Sequence, residues 1–298
     1  MLGLAIVDAG DLRAQMHPAE PSVNLGDTSF IDAVGGPGLL IEEIADAYRS
    51  GVVNNGDGSG VPGSSGSKSI SGLTHVVWVS KHHFLGAWTG AELVFIPALV
   101  DAGTRGSASG FGDLTVSPLV LQWKEWHAGP VRLQQRVVLD SELPIGQYRQ
   151  TSAVNLSGHA FTVHPYYAVT VFPTKHIETS WRVHYLWNSE NSSPPLEAGA
   201  RSTQAGQAIH FNATLGCKLP HGFWVGANGY YLKQVTDPRI NGQNLTNSPE
   251  QVGSIGPGAV WDRGRYVFFA NYYHEVGAVN RPEGDKLVLR MQWIHKSN

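Results

Sequence analysis

The sequence holds one cysteine, Cys217, among 298 residues. A lone thiol excludes a framework of internal disulfides. Charge is scarce as well: 15% of the residues are Asp, Glu, Lys or Arg, against a usual level of about 25%. The formal net charge is −3, so no basic footprint exists and no nucleic-acid partner is expected. Uninterrupted apolar runs of about 18 residues, the length a membrane-crossing helix needs, are missing too. That absence leaves open a membrane barrel, whose strands carry their signal by alternation instead. Residues 1–7 are apolar but short, with no basic residue before them. They fit either a frayed N-terminus or the end of an export signal that begins upstream.

What the chain does have is glycine, aromatics and alternation: 35 Gly, 9 Trp, 10 Tyr and 10 Phe. The clearest stretch is 111–146, two strands joined by a turn at His127-Ala128-Gly129-Pro130. In the second strand Val131, Leu133, Val137 and Leu139 share a face with Gln135, and Arg132, Gln134, Arg136 and Asp140 share the other. Successive side chains of a strand point to opposite faces, so one face is apolar and the other charged. The same pattern recurs in Trp181, Val183, Tyr185 and Trp187 against Arg182 and His184, and in Ile209, Phe211, Ala213 and Leu215 against His210 and Asn212. It returns in Leu287, Leu289, Met291 and Trp293 against Arg290 and Gln292.

Twelve strands are predicted: 39–49, 70–80, 84–98, 111–126, 131–143, 158–172, 177–188, 204–218, 222–235, 251–262, 265–277 and 285–295. The first is the least regular, its row Leu39, Ile41 and Glu43 disturbed by Glu42 and Asp46. Residues 1–38 show no period and read as an irregular arm, followed by a barrel over 39–298. Connections after even-numbered strands are tight, such as Pro173-Thr174-Lys175-His176 and Arg263-Gly264; those after odd-numbered strands are long and polar. Short turns at one end and long loops at the other are the habit of outer-membrane barrels. Trp78, Phe84, Trp88, Trp123, Trp126, Phe172, Trp181, Phe223, Trp224, Trp261 and Tyr266 cluster near the short turns, as an interfacial girdle would.

The charged rows decide which face is wet. An Arg on the lipid side near the midplane costs roughly 2–4 kcal/mol. Four such residues, Arg132, Arg136, Arg182 and Arg290, would together offset a typical stability of about 5–15 kcal/mol. They are therefore expected in a wet lumen, which the arm narrows. Pro118, Pro165 and Pro257 fall inside predicted strands, where each removes a ladder hydrogen bond. They mark either ordinary bulges or weak points in the wall through which an apolar solute leaves sideways.

Catalytic and metal motifs are weak. Ser65-Gly66-Ser67-Lys68 fits S-x-x-K but sits in a Gly/Ser loop without a supporting K-T-G. The loop 54–60 has the composition of a calcium loop without its closing Glu. His82-His83 lies at a tight turn, and the 13 histidines are scattered. No catalytic residue, metal or cofactor is expected. Two rival readings remain, a membrane-embedded lipid or ester hydrolase and a soluble β-sandwich binding module.

Several segments bear a likeness to a known family. Gly110-Phe111-Gly112-Asp113-Leu114-Thr115-Val116-Ser117-Pro118, Gln122-Trp123, Leu143-Pro144-Ile145-Gly146 and Gly229-Tyr230-Tyr231-Leu232 carry it, with Gly36-Pro37-Gly38-Leu39, Leu85-Gly86-Ala87, Ile96-Pro97 and Gln207-Ala208-Ile209-His210-Phe211. Together they resemble the MetA-pathway of phenol degradation family of SphA-like outer-membrane transporters, over nearly all of the chain after about residue 34. The resemblance implies a channel of roughly twelve strands with its N-terminal arm in the lumen. It also implies passage of small, hydrophobic or aromatic molecules, with no catalytic site. The chain ends His295-Lys296-Ser297-Asn298, where such barrels typically end on an aromatic; Trp293 is the nearest candidate.

The sequence thus predicts an all-β, closed antiparallel transmembrane barrel in the bacterial outer membrane, acting as a channel for passive uptake of small organic molecules. Its partners are the lipid bilayer and those solutes, and a monomer is expected. Arg132, Arg136, Arg182, His184, His210, Asn271, Glu275, Arg290 and Gln292 are the residues expected to line the channel. Residues 8–38 are the expected constriction.

Overall fold

A computed structural model describes residues 18, 21–64 and 66–296. Ser65 of the S-x-x-K segment and most of the early arm, 1–17, lie outside the described residues. Twelve long strands make the wall: β1 (Gly38–Val53), β2 (Lys68–Phe84), β3 (Ala87–Phe95), β4 (Leu114–Gln122), β5 (Val131–Leu143) and β6 (Tyr166–Phe172). They continue with β7 (Ile177–Asn188), β8 (Ala208–Lys218), β9 (Phe223–Gln234), β10 (Gln251–Asp262), β11 (Tyr266–Val279) and β12 (Pro282–Lys296). Each pairs antiparallel with its sequence neighbours, and β1 pairs with both β2 and β12, so the sheet closes on itself. Closure removes every long free edge, which a sheet in lipid requires. It also excludes the soluble sandwich, in which two sheets bury their apolar rows against each other.

Here the apolar rows face outward. On β7, Trp181, Val183, Tyr185 and Trp187 are exposed while Ser180, Arg182, His184 and Asn188 are buried. Leu287, Leu289 and Met291 of β12 are likewise exposed, with Lys286, Arg290 and Gln292 buried. This inverts the usual pattern of a water-soluble protein, and a continuous apolar exterior is the surface acyl chains cover. Glu43 interrupts the belt; its carboxylate accepts a hydrogen bond from the Thr74 hydroxyl on β2 at 2.9 Å.

The first strand is longer and more regular than its sequence predicts. It runs unbroken from Gly38 beside β2, Gly38 facing Val79 and Arg49 facing Lys68. Glu42 and Asp46 belong to its inward row, which explains the disturbed pattern. Connections at one end are tight: Leu85-Gly86, both with positive φ, Gly129-Pro130, 173–176, 219–222 and 263–265. Two positive φ values in succession suit the mirror-image turns that match strand twist. At the other end lie the long loops 54–67, 144–161, 189–207 and 235–250. The connection after β11 corrects the predicted alternation, because β11 and β12 extend to a two-residue turn at Asn280-Arg281. A small sheet of Thr203–Gln204, Arg239–Ile240 and Gln243–Asn244 ties two of the long loops together.

Trp78, Phe84, Trp126, Trp181, Phe223, Trp261 and Tyr266 are exposed near the tight turns. Phe172 and Trp224 are not part of that girdle: both are buried inside, packed on Phe30 of the arm. Proximity to a turn does not tell which face a ring takes.

The three prolines differ. At Pro118 the register shifts against both neighbours, between Gly90 and Glu92 on one side and Val116 and Leu119 on the other. His164-Pro165 separates Thr162–Val163 from β6, yet His164 N–H still donates to Asp140 and Tyr185 N–H to the Pro165 carbonyl. Pro257 keeps its place opposite Ala227. Pro118 marks a bulge that bends its strand without opening the backbone ladder at length, whereas at Pro165 the register is unshifted against both neighbours.

Leu289, midway along β12 and half exposed at 50%, tests the lipid-facing assignment. Leu289→Arg is expected to destabilise the barrel by about 2–4 kcal/mol in lipid vesicles, measured by chemical unfolding. An unchanged midpoint would take this row away from the acyl chains.

Candidate functional site: the occupied lumen

β1 begins at the tight-turn end, where Gly38 faces Lys296. The arm before it therefore enters the barrel from that end. Residues 25–30 are all buried, yet they form no regular strand or helix. Buried backbone groups need partners, and side chains of the wall supply them. Gly35 N–H donates to Gln134 at 2.9 Å, Ala33 N–H to Thr170 at 3.0 Å and Ile31 N–H to Glu178 at 3.0 Å. The Ala33 carbonyl accepts from Gln122 at 3.2 Å. Further in, Asn271 donates to Ser29 at 2.9 Å, and Gly26 N–H donates to Asn212 at 3.0 Å. The Tyr273 hydroxyl donates to the Gly26 carbonyl at 2.8 Å.

Two ion pairs lock this path. Arg182 holds Asp32 through two parallel bonds of 2.7 and 2.8 Å, with its guanidinium 4.0 Å over the Tyr166 ring. Lys286 reaches Asp27 at 2.7 Å, the Leu25 carbonyl at 2.8 Å and Asp46 of β1. Apolar contacts fill the gaps: Phe30 sits in a cup of Phe172, Trp224, Val260, Val267 and Phe269. Val23 and Leu25 pack on Tyr230, Tyr273 and Leu186. Gly26, at φ 83°, passes so close to the wall that a Cβ would lie 2.6 Å from the Tyr273 ring. Only glycine takes that conformation in that space.

Of the nine residues expected along the channel, Arg136, Arg182, His184, His210, Asn271, Glu275, Arg290 and Gln292 are buried inside the wall. Arg132 lies near the tight turns, partly exposed, 3.5 Å from Glu125 and stacked on Phe172. They do not form one lining. Arg182 and Asn271 grip the arm, Arg290 stacks 3.6 Å over Phe269, and Glu275 accepts from the Tyr48 and Tyr230 hydroxyls at 2.8 Å each.

Sequence reasoning missed the acidic half of this interior. His75 bridges Glu42 at 2.6 Å and Glu92 at 3.1 Å. Arg136 lies 3.4 Å from Glu92, and Gln292 donates to Glu42 at 2.6 Å. The even-numbered row Glu42, Ile44, Asp46 and Tyr48 carried the signal, because β1 buries all four.

Between arm and wall lies a chamber of about 90 Å³. Aliphatic side chains such as Val23, Ile44 and Leu73 line it together with ionisable ones, among them His75, Glu92 and Arg182. His164, His184 and His210 meet beside it, the only such trio of possible metal donors among the described residues.

The motif residues have structural work. Asp113 accepts from Gly146 N–H at 2.9 Å and Gly158 N–H at 3.3 Å, pinning the long loop after β5 onto the start of β4. A Cβ on Gly146 would lie 2.5 Å from the Gly112 backbone. Tyr230 of Gly229-Tyr230-Tyr231-Leu232 points inward onto Glu275.

Among solved structures the fold matches the COG4313 outer membrane channel from Pseudomonas putida F1, with a TM-score of 0.76 and 16% identity over 92% of this chain and all of that one. At that identity the likeness shows the fold alone. Weaker overlaps are the β domain of the Bordetella autotransporter BrkA, at 0.49 and 10% over 87% of this chain and all of that one. A loop-deleted mutant of the monoaromatic hydrocarbon channel TodX follows at 0.48 and 9%, over 89% of this chain and 92% of that one. Neither adds to the assignment. No curated protein matches the chain. The profile of the MetA-pathway of phenol degradation family matches residues 50–291, most of the barrel. The chain belongs to the MetA-pathway of phenol degradation family and is a β-barrel of the bacterial outer membrane.

Proposed function

We propose that the protein is a monomeric channel for passive passage of small organic molecules, hydrophobic or aromatic ones above all, with residues 21–37 as its constriction. One observation carries the reading: a closed wall, apolar outside and polar inside, whose lumen takes in the chain's own arm and holds a small chamber between arm and wall. Aliphatic side chains mixed with hydrogen-bonding groups in its lining suit small molecules that are apolar with a polar substituent. The family's association with phenol degradation agrees with that class. The chamber, at about 90 Å³, is smaller than the roughly 150 Å³ cavity that holds benzene. An aromatic ring therefore fits this chamber only if the arm shifts. No energy-coupling motif stands in the sequence, so the direction follows the gradient.

The nine inward and near-inward polar residues named above act, in this reading, partly as lining and partly as the arm's docking groups. Acidic and basic side chains are mixed along the interior, which argues against strong preference for either sign of ion.

Removing residues 8–34 is expected to raise single-channel conductance several-fold in planar bilayers; unchanged conductance would reject the arm as constriction. Asp32→Ala leaves Arg182 buried without its carboxylate, a loss of about 3–5 kcal/mol for a broken buried pair. The variant is expected to unfold at lower temperature and to show more frequent open events. Joint replacement as Asp32→Ala with Arg182→Met should recover much of the stability while keeping the open events. Uptake of radiolabelled phenol by cells lacking other aromatic channels should rise on expression of the wild type. Equal initial rates with and without the protein would contradict the proposed solute class.

A further inference from the structure

His164 stands on the inward row that also holds Thr162, Tyr166, Ala168 and Thr170. Thr162–Val163 and β6 keep one register against β5 and β7 on either side of His164-Pro165, so the alternation of the strand aims His164 at the interior. There it meets a cross-strand pair, since His184 of β7 stands directly opposite His210 of β8. All three rings are at least nine-tenths buried. His164 Nε2 lies 2.7 Å from His210 Nε2, and the rings of His184 and His210 are stacked at 4.3 Å.

The hydrogen bonding of the trio is incomplete. Neither nitrogen of His184 has a partner of acceptable geometry, and neither does Nδ1 of His210. Glu142 lies 3.7 Å from His164 Nδ1 and keeps one carboxylate oxygen unpartnered. Four buried acceptor-capable atoms left unsatisfied within one cluster are costly, at about 1–3 kcal/mol each. In native proteins such groups signal an ion or another unseen partner.

We propose that His164, His184 and His210 form a binding site for one divalent transition-metal ion, Zn²⁺ being the reference case, with Glu142 as the carboxylate that orients His164. Three imidazoles select borderline metals such as Zn²⁺, Cu²⁺ or Ni²⁺ over Mg²⁺ and Ca²⁺, which prefer oxygen. One donor atom from each ring lies within 4.8 Å of the others. Tetrahedral donors at about 2.0–2.1 Å from zinc are roughly 3.3 Å apart, so modest side-chain rotation closes the set. A carboxylate behind a ligating histidine is the usual arrangement for fixing ring orientation. His164 and His184 also border the chamber, which leaves a fourth coordination position open toward it. An ion there would clamp the start of β6 to β7 and β8 and present a Lewis acid to whatever occupies the chamber.

The test uses the full chain, purified in detergent without a polyhistidine tag and stripped with a chelator. Equilibrium dialysis against Zn²⁺ is expected to show one tightly held ion per chain, and Zn²⁺ should raise the unfolding temperature. His184→Gln and His210→Gln should each weaken binding at least 100-fold, and Glu142→Gln 10- to 100-fold. The double variant His82→Gln, His83→Gln, at an exposed turn, should bind as wild type does. Should a lumen variant fail to fold, Co²⁺ loading of the wild type decides: intense visible bands of a four-coordinate nitrogen-rich site are expected. Absence of stoichiometric Zn²⁺ binding, of those bands, or of any effect of the folded lumen variants would overturn the proposal.

Discussion

A charged side chain on the inner face of a narrow barrel must find its partner inside that barrel. Lipid lies on the other side of the wall, and the wall's own backbone is already paired in the ladder. Arg182, Lys286, Arg290 and Arg136 are all buried on this inner face. Leaving one of them unpaired costs several kcal/mol. Part of the answer is wall to wall, as in Glu92–Arg136 and Glu42–Arg290. The rest comes from the arm, whose Asp32 and Asp27 neutralise Arg182 and Lys286. Barrel and arm are thus one electrostatic unit: Asp32 pairs with Arg182, and Asp27 shares Lys286 with Asp46 of the wall.

That dependence runs both ways. Residues 21–37 of the arm form no strand or helix, so their amides are satisfied by Glu178, Ser180, Thr170, Asn212 and Gln134, side chains a strand would otherwise turn to water. Small residues set its clearance from the wall, most sharply at Gly26 and at Gly258, where a Cβ would meet the Phe30 ring at 2.6 Å. A segment held by scattered side-chain bonds rather than a ladder opens more cheaply than the wall itself. Such a segment suits a constriction that must shift when a solute passes.

Much of this was legible in the sequence because a strand's period is two and a barrel has two unlike faces. Trp181, Val183 and Tyr185 against Arg182 and His184 is such a row, and the wall follows it. Where the inward row mixed classes, the pattern blurred. β1 buries Glu42, Ile44, Asp46 and Tyr48 together, so its acidic members read as faults in an apolar strand. Phe172 and Trp224 misled for a related reason: an aromatic near a turn fits a membrane interface as well as a cup around Phe30. The histidine trio was illegible in principle, since it joins residues separated by 20 and 26 positions (164 to 184, 184 to 210) through a register that only coordinates define.

The central claim is that residues near Asp32 occupy the lumen against the inner face of β6. Ala33 packs within one cluster with Ala168. Ala33 N–H also donates to the Thr170 hydroxyl at 3.0 Å, and in a Cys217→Ser background a chain carrying Ala33→Cys and Thr170→Cys tests that contact. Spontaneous disulfide formation in the outer membrane, with conductance low when oxidised and higher after reduction, is the expected result. Two free thiols that react freely with a water-soluble maleimide would show that the arm does not reside where the structure puts it.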